Sequence, residues 1–192
     1  MKVIGIVGSL RAGGNTEFFV RRALDRLGEE GFETELVHLR GKSILPCLGC
    51  MECRDRGGCV QTKDDFEPVF RKMVEADGII AGSPVYFGSA VPQLMALLDR
   101  AGYVSRQGGR RLFSGKVGAP ITVARRAGHN FAFAQLLLWY FVNDMVIPGS
   151  AYWNVGLAGA SGARDAAEDE EGLKNIDHFA ANMARVLRKL RG

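Results

Sequence analysis

Four cysteines crowd into 13 residues of this chain: Cys47, Cys50, Cys53 and Cys59, in the spacing C-x2-C-x2-C-x5-C. Iron–sulfur clusters take four thiolates around a compact cube, and close-spaced cysteines on an irregular loop can wrap one. A tetrahedral zinc site uses the same thiolates, although zinc sites usually set two ligand pairs apart by a longer gap. Two further readings stay open, unligated thiols and adventitious disulfides. A chain of 192 residues that opens directly on a strand-like run, without a secretory leader, has little need of disulfides.

The second candidate is the loop Gly8-Ser9-Leu10-Arg11-Ala12-Gly13-Gly14-Asn15-Thr16. Its glycines, Gly14 among them, let backbone approach a ligand. Ser9, Asn15 and Thr16 offer short hydrogen-bonding groups, and Arg11 offers a cation for phosphate. The loop runs into a helix whose first N–H groups face an anion. It lacks both the GxGxxG dinucleotide pattern and the GxxxxGK[ST] triphosphate pattern, which favours a monophosphate. The same residues also suit a plain strand-to-helix turn.

Two more loops complete the set. Residues 82–89 read GSPVYFGS, with Pro84, Val85, Tyr86, Phe87 and Gly88 offering a fixed turn, two aromatic rings and backbone N–H groups to a flat ligand. Residues 124–130 read ARRAGHN, and Ala124, Arg125, Arg126 and Gly128 make a flexible basic loop able to close over such a ring. Structural readings compete here too, with core aromatics in the first loop and a solvated second loop.

These loops need elements that carry them to one place. Residues 2–7 form a β-branched run, and 15–27 place Phe18, Phe19, Ala23, Leu24 and Leu27 at helical spacing. Asn15 and Thr16 suit the cap of that helix. Residues 34–39 alternate like an edge strand, and 40–62 are irregular and hold the cysteines. A helix is expected over 64–76, a buried strand over 78–81 and a helix over 89–103. A strand follows over 116–124, then a nearly all-apolar helix over 131–142, broken by Gln135 and buried by the core or by a partner subunit. The last strand falls within 145–156, and a helix over 169–190 is acidic at its start and basic at its end. Strict strand–helix alternation predicts one α/β domain over 1–192, a doubly wound parallel sheet with a cysteine-rich insertion at 40–62. Ligands of such sheets bind at the carboxyl ends of the strands, which selects the loops after strands one, three and four.

Composition narrows the class. No apolar run approaches the roughly 18 residues of a membrane span, so a soluble cytoplasmic protein is expected. The net charge of +4 is spread along the chain rather than gathered into a stripe, which argues against nucleic acid. His38, His129 and His178 lack metal-ligand spacing to one another. His38 and His178 read as structural, while His129 follows the basic loop and could approach a bound ring. Asp64-Asp65 reads as a helix start, Asp99-Arg100 as an ion pair at a helix end, and Trp139-Tyr140-Phe141 as oligomer packing.

The segments GSLRAGGNT, CLGCMECRDRGGCVQTKDDF, DGIIAGSPVYFGSAVPQLMALLDR and SAYWNVGLAG resemble the NADPH-dependent FMN reductase and iron–sulfur flavoprotein group over nearly the whole chain. The resemblance implies a flavodoxin-like five-stranded sheet of order 2-1-3-4-5. It implies FMN with its phosphate on Ser9, Arg11, Asn15 and Thr16, its isoalloxazine ring against residues 84–88, and the 124–128 loop nearby. It also implies a [4Fe–4S] cluster on the cysteines and a homodimer or homotetramer. The expected activity is electron transfer from NAD(P)H, or from a reduced ferredoxin-like carrier, to a small redox substrate such as free flavin or a quinone. The alternatives are an electron-transfer carrier and a scaffold without cofactor.

Overall fold

The computed structural model describes residues 1–159 and 165–192. Strands β1 (Lys2–Val7), β2 (Glu33–His38), β3 (Gly78–Pro84), β4 (Val117–Ala124) and β5 (Val155–Leu157) form one parallel sheet in the order β2-β1-β3-β4-β5. Between and after them lie α1 (Asn15–Glu29), α2 (Cys53–Arg56), α3 (Phe66–Glu75), α4 (Pro92–Ser105), α5 (His129–Val142) and α6 (Glu170–Arg191). This is the doubly wound order that the resemblance implies.

The period-two alternation of β1 separates the layers. Val3 and Val7 point into the core formed with Phe19, Ala23 and Leu27 of α1 and with Phe179 and Met183 of α6. Ile4 and Ile6 point into the opposite core, under Met73 of α3, Leu94 and Leu98 of α4, and Leu136 of α5. β2 lies at the sheet edge, as its mixed pattern predicts, and Glu35 on it pairs with Lys2 at 2.7 Å and with Lys72. Charged side chains on an edge discourage further strand pairing.

Gly8 shows how tightly the end of β1 is held. Its N–H donates to the Gly82 carbonyl at 2.8 Å, and a Cβ there would lie 2.8 Å from Val91 Cγ2. The phosphate-type loop therefore starts from a fixed point beside β3.

Several expectations are corrected. The cap of α1 is Gly14, and no side chain caps it; Asn15 is the first helical residue. α4 begins at Pro92 rather than Ser89, because Ser89 closes the preceding turn. The cysteine segment is not wholly irregular, since α2 lies within it.

The apolar run 131–142 buries one stripe only. Ala132, Leu136, Trp139 and Tyr140 are in the core, while Phe131, Leu138, Phe141 and Val142 are exposed. Trp139 and Tyr140 are therefore core residues, not a surface patch: Trp139 Nε1 donates to the Leu98 carbonyl at 2.7 Å, and Tyr140 Oη to the Ala119 carbonyl at 3.2 Å. Arg100 does not end its helix or pair with Asp99. It lies within α4, fully buried, and pairs with Asp64 of the segment before α3.

Candidate functional site

The carboxyl ends of β1, β3 and β4 meet around an open cleft of about 210 Å³. Ser9, Arg11, Gly14, Asn15 and Thr16 line one side, Pro84, Val85 and Tyr86 another, and Ala124 and Arg125 a third. Backbone pairing continues past the strands and holds these loops together, with Val85 N–H on the Val123 carbonyl at 2.9 Å and Ala158 N–H on the Ala124 carbonyl at 3.1 Å.

The phosphate-type loop is braced from inside. Ser9 is buried, and its Oγ accepts from Arg11 N–H at 3.2 Å. Gly13 N–H donates to Glu17 Oε2 at 2.7 Å, Arg21 Nε donates to Glu17 Oε1 at 2.8 Å, and His38 Nε2 lies 3.2 Å from Glu17 Oε2. Burial opposes the Glu17 charge, but Arg21, Gly13 N–H and His38 outweigh it and hold the carboxyl below its ordinary value. His38 thus has the structural role expected of it. Since no side chain caps α1, its first N–H groups, the positive end of the helix and the two cleft arginines make an anion-attracting corner.

Asn15 is placed differently from its expected role. Its Nδ2 donates to Asp165 Oδ1 at 2.6 Å, and its Oδ1 accepts from Ala166 N–H at 3.3 Å. The amide therefore ties the loop to the short helical turn Asp165–Glu168, leaving the Asn15 backbone N–H for an anion.

Pro84, Val85 and Tyr86 form the cleft wall, while Phe87 and Gly88 form the tip of the aromatic loop and stand outside it. Tyr86 and Ser89 exchange both backbone hydrogen bonds, at 2.9 and 3.0 Å, and φ is 52° at Phe87 and 79° at Gly88. Both central residues are left-handed, as in a type I′ turn. The loop is anchored behind: Ser83 Oγ accepts from Val91 N–H at 3.0 Å, and Gln135 Oε1 accepts from Ala90 N–H at 3.0 Å. Gln135, the polar residue that breaks the apolar run, thus holds α5 to the aromatic loop.

Phe87 is strained and its ring is fully exposed. A non-glycine residue in this conformation costs about 1–2 kcal/mol. Phe87→Asn, which suits the turn, is expected to raise the urea-unfolding free energy by roughly 0.5–1 kcal/mol. A loss of stability would mean that the ring makes contacts that outweigh the strain.

In the basic loop Arg125 faces the cleft, but Arg126 lines a neighbouring cavity of about 330 Å³ with Tyr152, Trp153 and Asp169. Gly128 (φ 90°) packs on the aromatic loop, where a Cβ would lie 2.9 Å from Val85 Cγ1. His129 is buried, with Nε2 3.1 Å from the Gly156 carbonyl, and lines the neighbouring cavity rather than the cleft. Val123, Ala158 and Gly159 also line the cleft. The loop after β5 belongs to the same edge of the sheet, and that topological signal is where Ala158 and Gly159 could have been found.

The cysteine segment hangs from a zipped neck. Ser43 N–H donates to Asp65 Oδ2 at 2.7 Å, Leu45 N–H to Asp64 Oδ2 at 2.9 Å, and Gln61 Nε2 to the Pro46 carbonyl at 3.0 Å. All four cysteines are free thiols, and all four line one small cavity with Arg100, Tyr103 and Val104. Burial pushes the Cys53 thiol up, and the nearby thiols of Cys47, Cys50 and Cys59 add to the shift. N–H groups point at two of the sulfurs, Gly49 N–H to Cys47 at 3.4 Å and Arg100 Nη2 to Cys59 at 3.3 Å. Among the described residues, no three His, Cys, Asp or Glu side chains are grouped to hold a single metal ion. Nor is any described helix long and apolar enough to cross a membrane.

A doubly wound sheet with this cleft at its carboxyl edge defines a flavodoxin-like α/β protein. The chain belongs to the NADPH-dependent FMN reductase family, whose model matches residues 1–160. It is 37% identical to an iron–sulfur flavoprotein of Methanocaldococcus jannaschii, over the full length of both chains. A second iron–sulfur flavoprotein, from Methanosarcina thermophila, is 34% identical over 97% of this chain and 95% of its own. The fold is also that of RosB with a bound 8-demethyl-8-formylriboflavin-5′-phosphate, with a TM-score of 0.82, 20% identity, and coverage of 100% of this chain and 80% of that one. The family assignment makes the chain an FMN-dependent oxidoreductase or electron carrier.

Proposed function

We propose that this chain holds FMN in the cleft between loops 8–16, 84–88 and 124–128 and passes electrons from NAD(P)H or a reduced ferredoxin-like carrier to a small acceptor such as free flavin or a quinone. The observation that carries the reading is the convergence of an uncapped helix start, two arginines and an aromatic wall on one cleft. A phosphate corner alone would admit many ligands; beside a flat apolar wall it selects a phosphorylated ring system. Bound FMN would supply the redox chemistry.

The chain's own residues bind and orient. Ser9, Gly14, Thr16, the Asn15 N–H and Arg11 hold the phosphate end, while Pro84, Val85 and Tyr86 back the ring. Ala124 and Arg125 flank it, Gly128 lets the basic loop approach, the Phe87-Gly88 tip stands outside, and Arg126 serves the neighbouring cavity. No nucleophile or general base is required of the protein.

The cysteines support a [4Fe–4S] cluster as a second group. Four free thiols on one cavity, two of them receiving N–H groups, match the donor set such a cluster takes. Helix α4 starts after the aromatic loop and carries Arg100 eight residues on, about 12 Å along its axis, beside the thiol cavity. The relatives' names add weight to this reading.

Purification without oxygen tests both parts. The expected result is about one FMN and four iron per chain, with bleaching of the flavin band by NADPH, NADH or a reduced ferredoxin. A colourless protein that takes up no added FMN would defeat the cleft assignment. FMN without iron or acid-labile sulfide would remove the cluster alone.

A further inference from the structure

We propose that Arg100 is the positioning residue of the cysteine loop, holding Cys59 and both ends of the loop so that the thiol set is presented to an iron–sulfur cluster at a defined reduction potential. The inference rests on the cluster reading above and goes beyond it by naming the residue that builds the site.

The Arg100 side chain has no solvent exposure. A buried guanidinium is costly unless its N–H groups are used. Its use here is distributed: Nη1 donates to the Leu45 carbonyl at 3.1 Å, and Nη2 to the Gln61 carbonyl at 2.8 Å and to Cys59 Sγ at 3.3 Å. Both Nη atoms also reach the Asp64 carboxylate, and the guanidinium lies 4.0 Å above the Phe66 ring. Leu45 leads into the cysteine segment and Gln61 leaves it, so a single planar fork spans the neck and touches one of the four sulfurs. Asp64 alone would leave Nη protons unpaired in the interior, and the acceptors that take them are the two sides of the neck and a cysteine sulfur.

The choice of arginine follows from this geometry. Lysine is a point charge on a flexible stem and cannot keep two carbonyls, a carboxylate and a sulfur in one fixed fork. A cation donating N–H to a ligand sulfur favours the reduced, more negative form of a cluster, and hydrogen bonds to the sulfurs are among the features that set cluster potentials.

The test uses the anaerobically prepared holoprotein carrying Arg100→Lys, which keeps the charge opposite Asp64. FMN content and thermal midpoint control for folding. Expected are near wild-type FMN, at least a twofold loss of iron and sulfide per chain, and a downward shift in the potential of the remaining cluster, followed by its EPR signal during redox titration. A tenfold change in the one-electron equilibrium corresponds to 59 mV. Should Arg100→Lys fail to fold, the double change Asp64→Asn with Arg100→Gln, which leaves no buried charge unpaired, is read in the same way. Full iron content with an unshifted potential in the folded variant overturns the proposal and leaves the cluster reading intact. Wild-type protein that binds FMN but neither iron nor sulfide overturns both.

Discussion

Asp64→Ala is expected to lower the unfolding free energy by about 3–5 kcal/mol, measured by urea denaturation with linear extrapolation. The Asp64 and Arg100 side chains are both inaccessible to solvent, and removing the carboxylate leaves a buried cation with two carbonyls, a sulfur and the Phe66 ring around it but no opposite charge. Asp64 Oδ2 also accepts from Leu45 N–H at 2.9 Å, and Oδ1 from Phe66 N–H at 3.3 Å at the start of α3, so the neck of the cysteine loop loses its fastening too. The double change Asp64→Leu with Arg100→Met should recover part of the loss, because no charge then stays buried. Recovery is incomplete, since the Leu45 and Gln61 carbonyls lose their donor. A single-variant loss below about 1 kcal/mol, the range of an exposed pair, would show that the pair is solvated.

The same pair predicts acid sensitivity. Burial alone would raise the Asp64 carboxyl, but hydrogen bonds from Arg100, Leu45 and Phe66 and the charge of Arg100 outweigh it, placing the folded value below the usual 3.8. A carboxyl depressed on folding contributes stability that is fully present above its unfolded value and is lost as pH falls through the folded value. The contribution of Asp64 should therefore be constant near neutrality and disappear only below about pH 4.

Gly14→Asp is expected to separate the phosphate from the ring in flavin binding. Gly14 caps α1 in an extended conformation, with φ −78°, and without a side-chain hydrogen bond. An added Cβ would lie 3.3 Å from Arg11 Cβ and 3.5 Å from the Arg11 carbonyl oxygen, so the loop at Arg11 must give by a few tenths of an ångström. A carboxylate there would accept from the first helical N–H groups and should stabilise the protein without flavin by roughly 0.3 kcal/mol. It would also occupy the place proposed for the phosphate and repel it. FMN affinity should fall at least about 100-fold, roughly 2.7 kcal/mol, while riboflavin affinity changes by less than about fivefold. Calorimetric titration with the two flavins reads the difference directly. Equal weakening of both would move the phosphate away from this helix start.

The layers of the fold were legible because the strands obey simple patterns. β1 and β3 are near-continuous apolar runs with small residues, β2 alternates, and each helix facing the sheet carries an apolar stripe. α5 defeated the same reasoning: it is apolar nearly all round, so its periodicity could not reveal that Trp139 and Tyr140 face the core while Phe141 faces out. The loops of the site were legible as composition, glycine and hydroxyl residues in one and aromatic residues in another. Their division of labour was not. Asn15 reads as a ligand by type, yet its amide is taken by Asp165, which is 150 residues distant. Adjacent Arg125 and Arg126 face different cavities, because the chain bends at these residues as it leaves β4.

By itself the sequence determined the alternation of strands and helices, the loop after β1 as a candidate anion site, and the four thiols as one chemical group. These are local matters, set by residue type and by spacing within a few turns. Only the tertiary structure decided which groups share a space. The parallel sheet brings residues 9–16, 84–86, 124–125 and 158–159 to one edge, and α4 delivers Arg100 to Leu45, Gln61 and Cys59. Arg100 could not be read in advance, because its partners lie 36 to 55 residues away and a buried guanidinium is defined by what surrounds it.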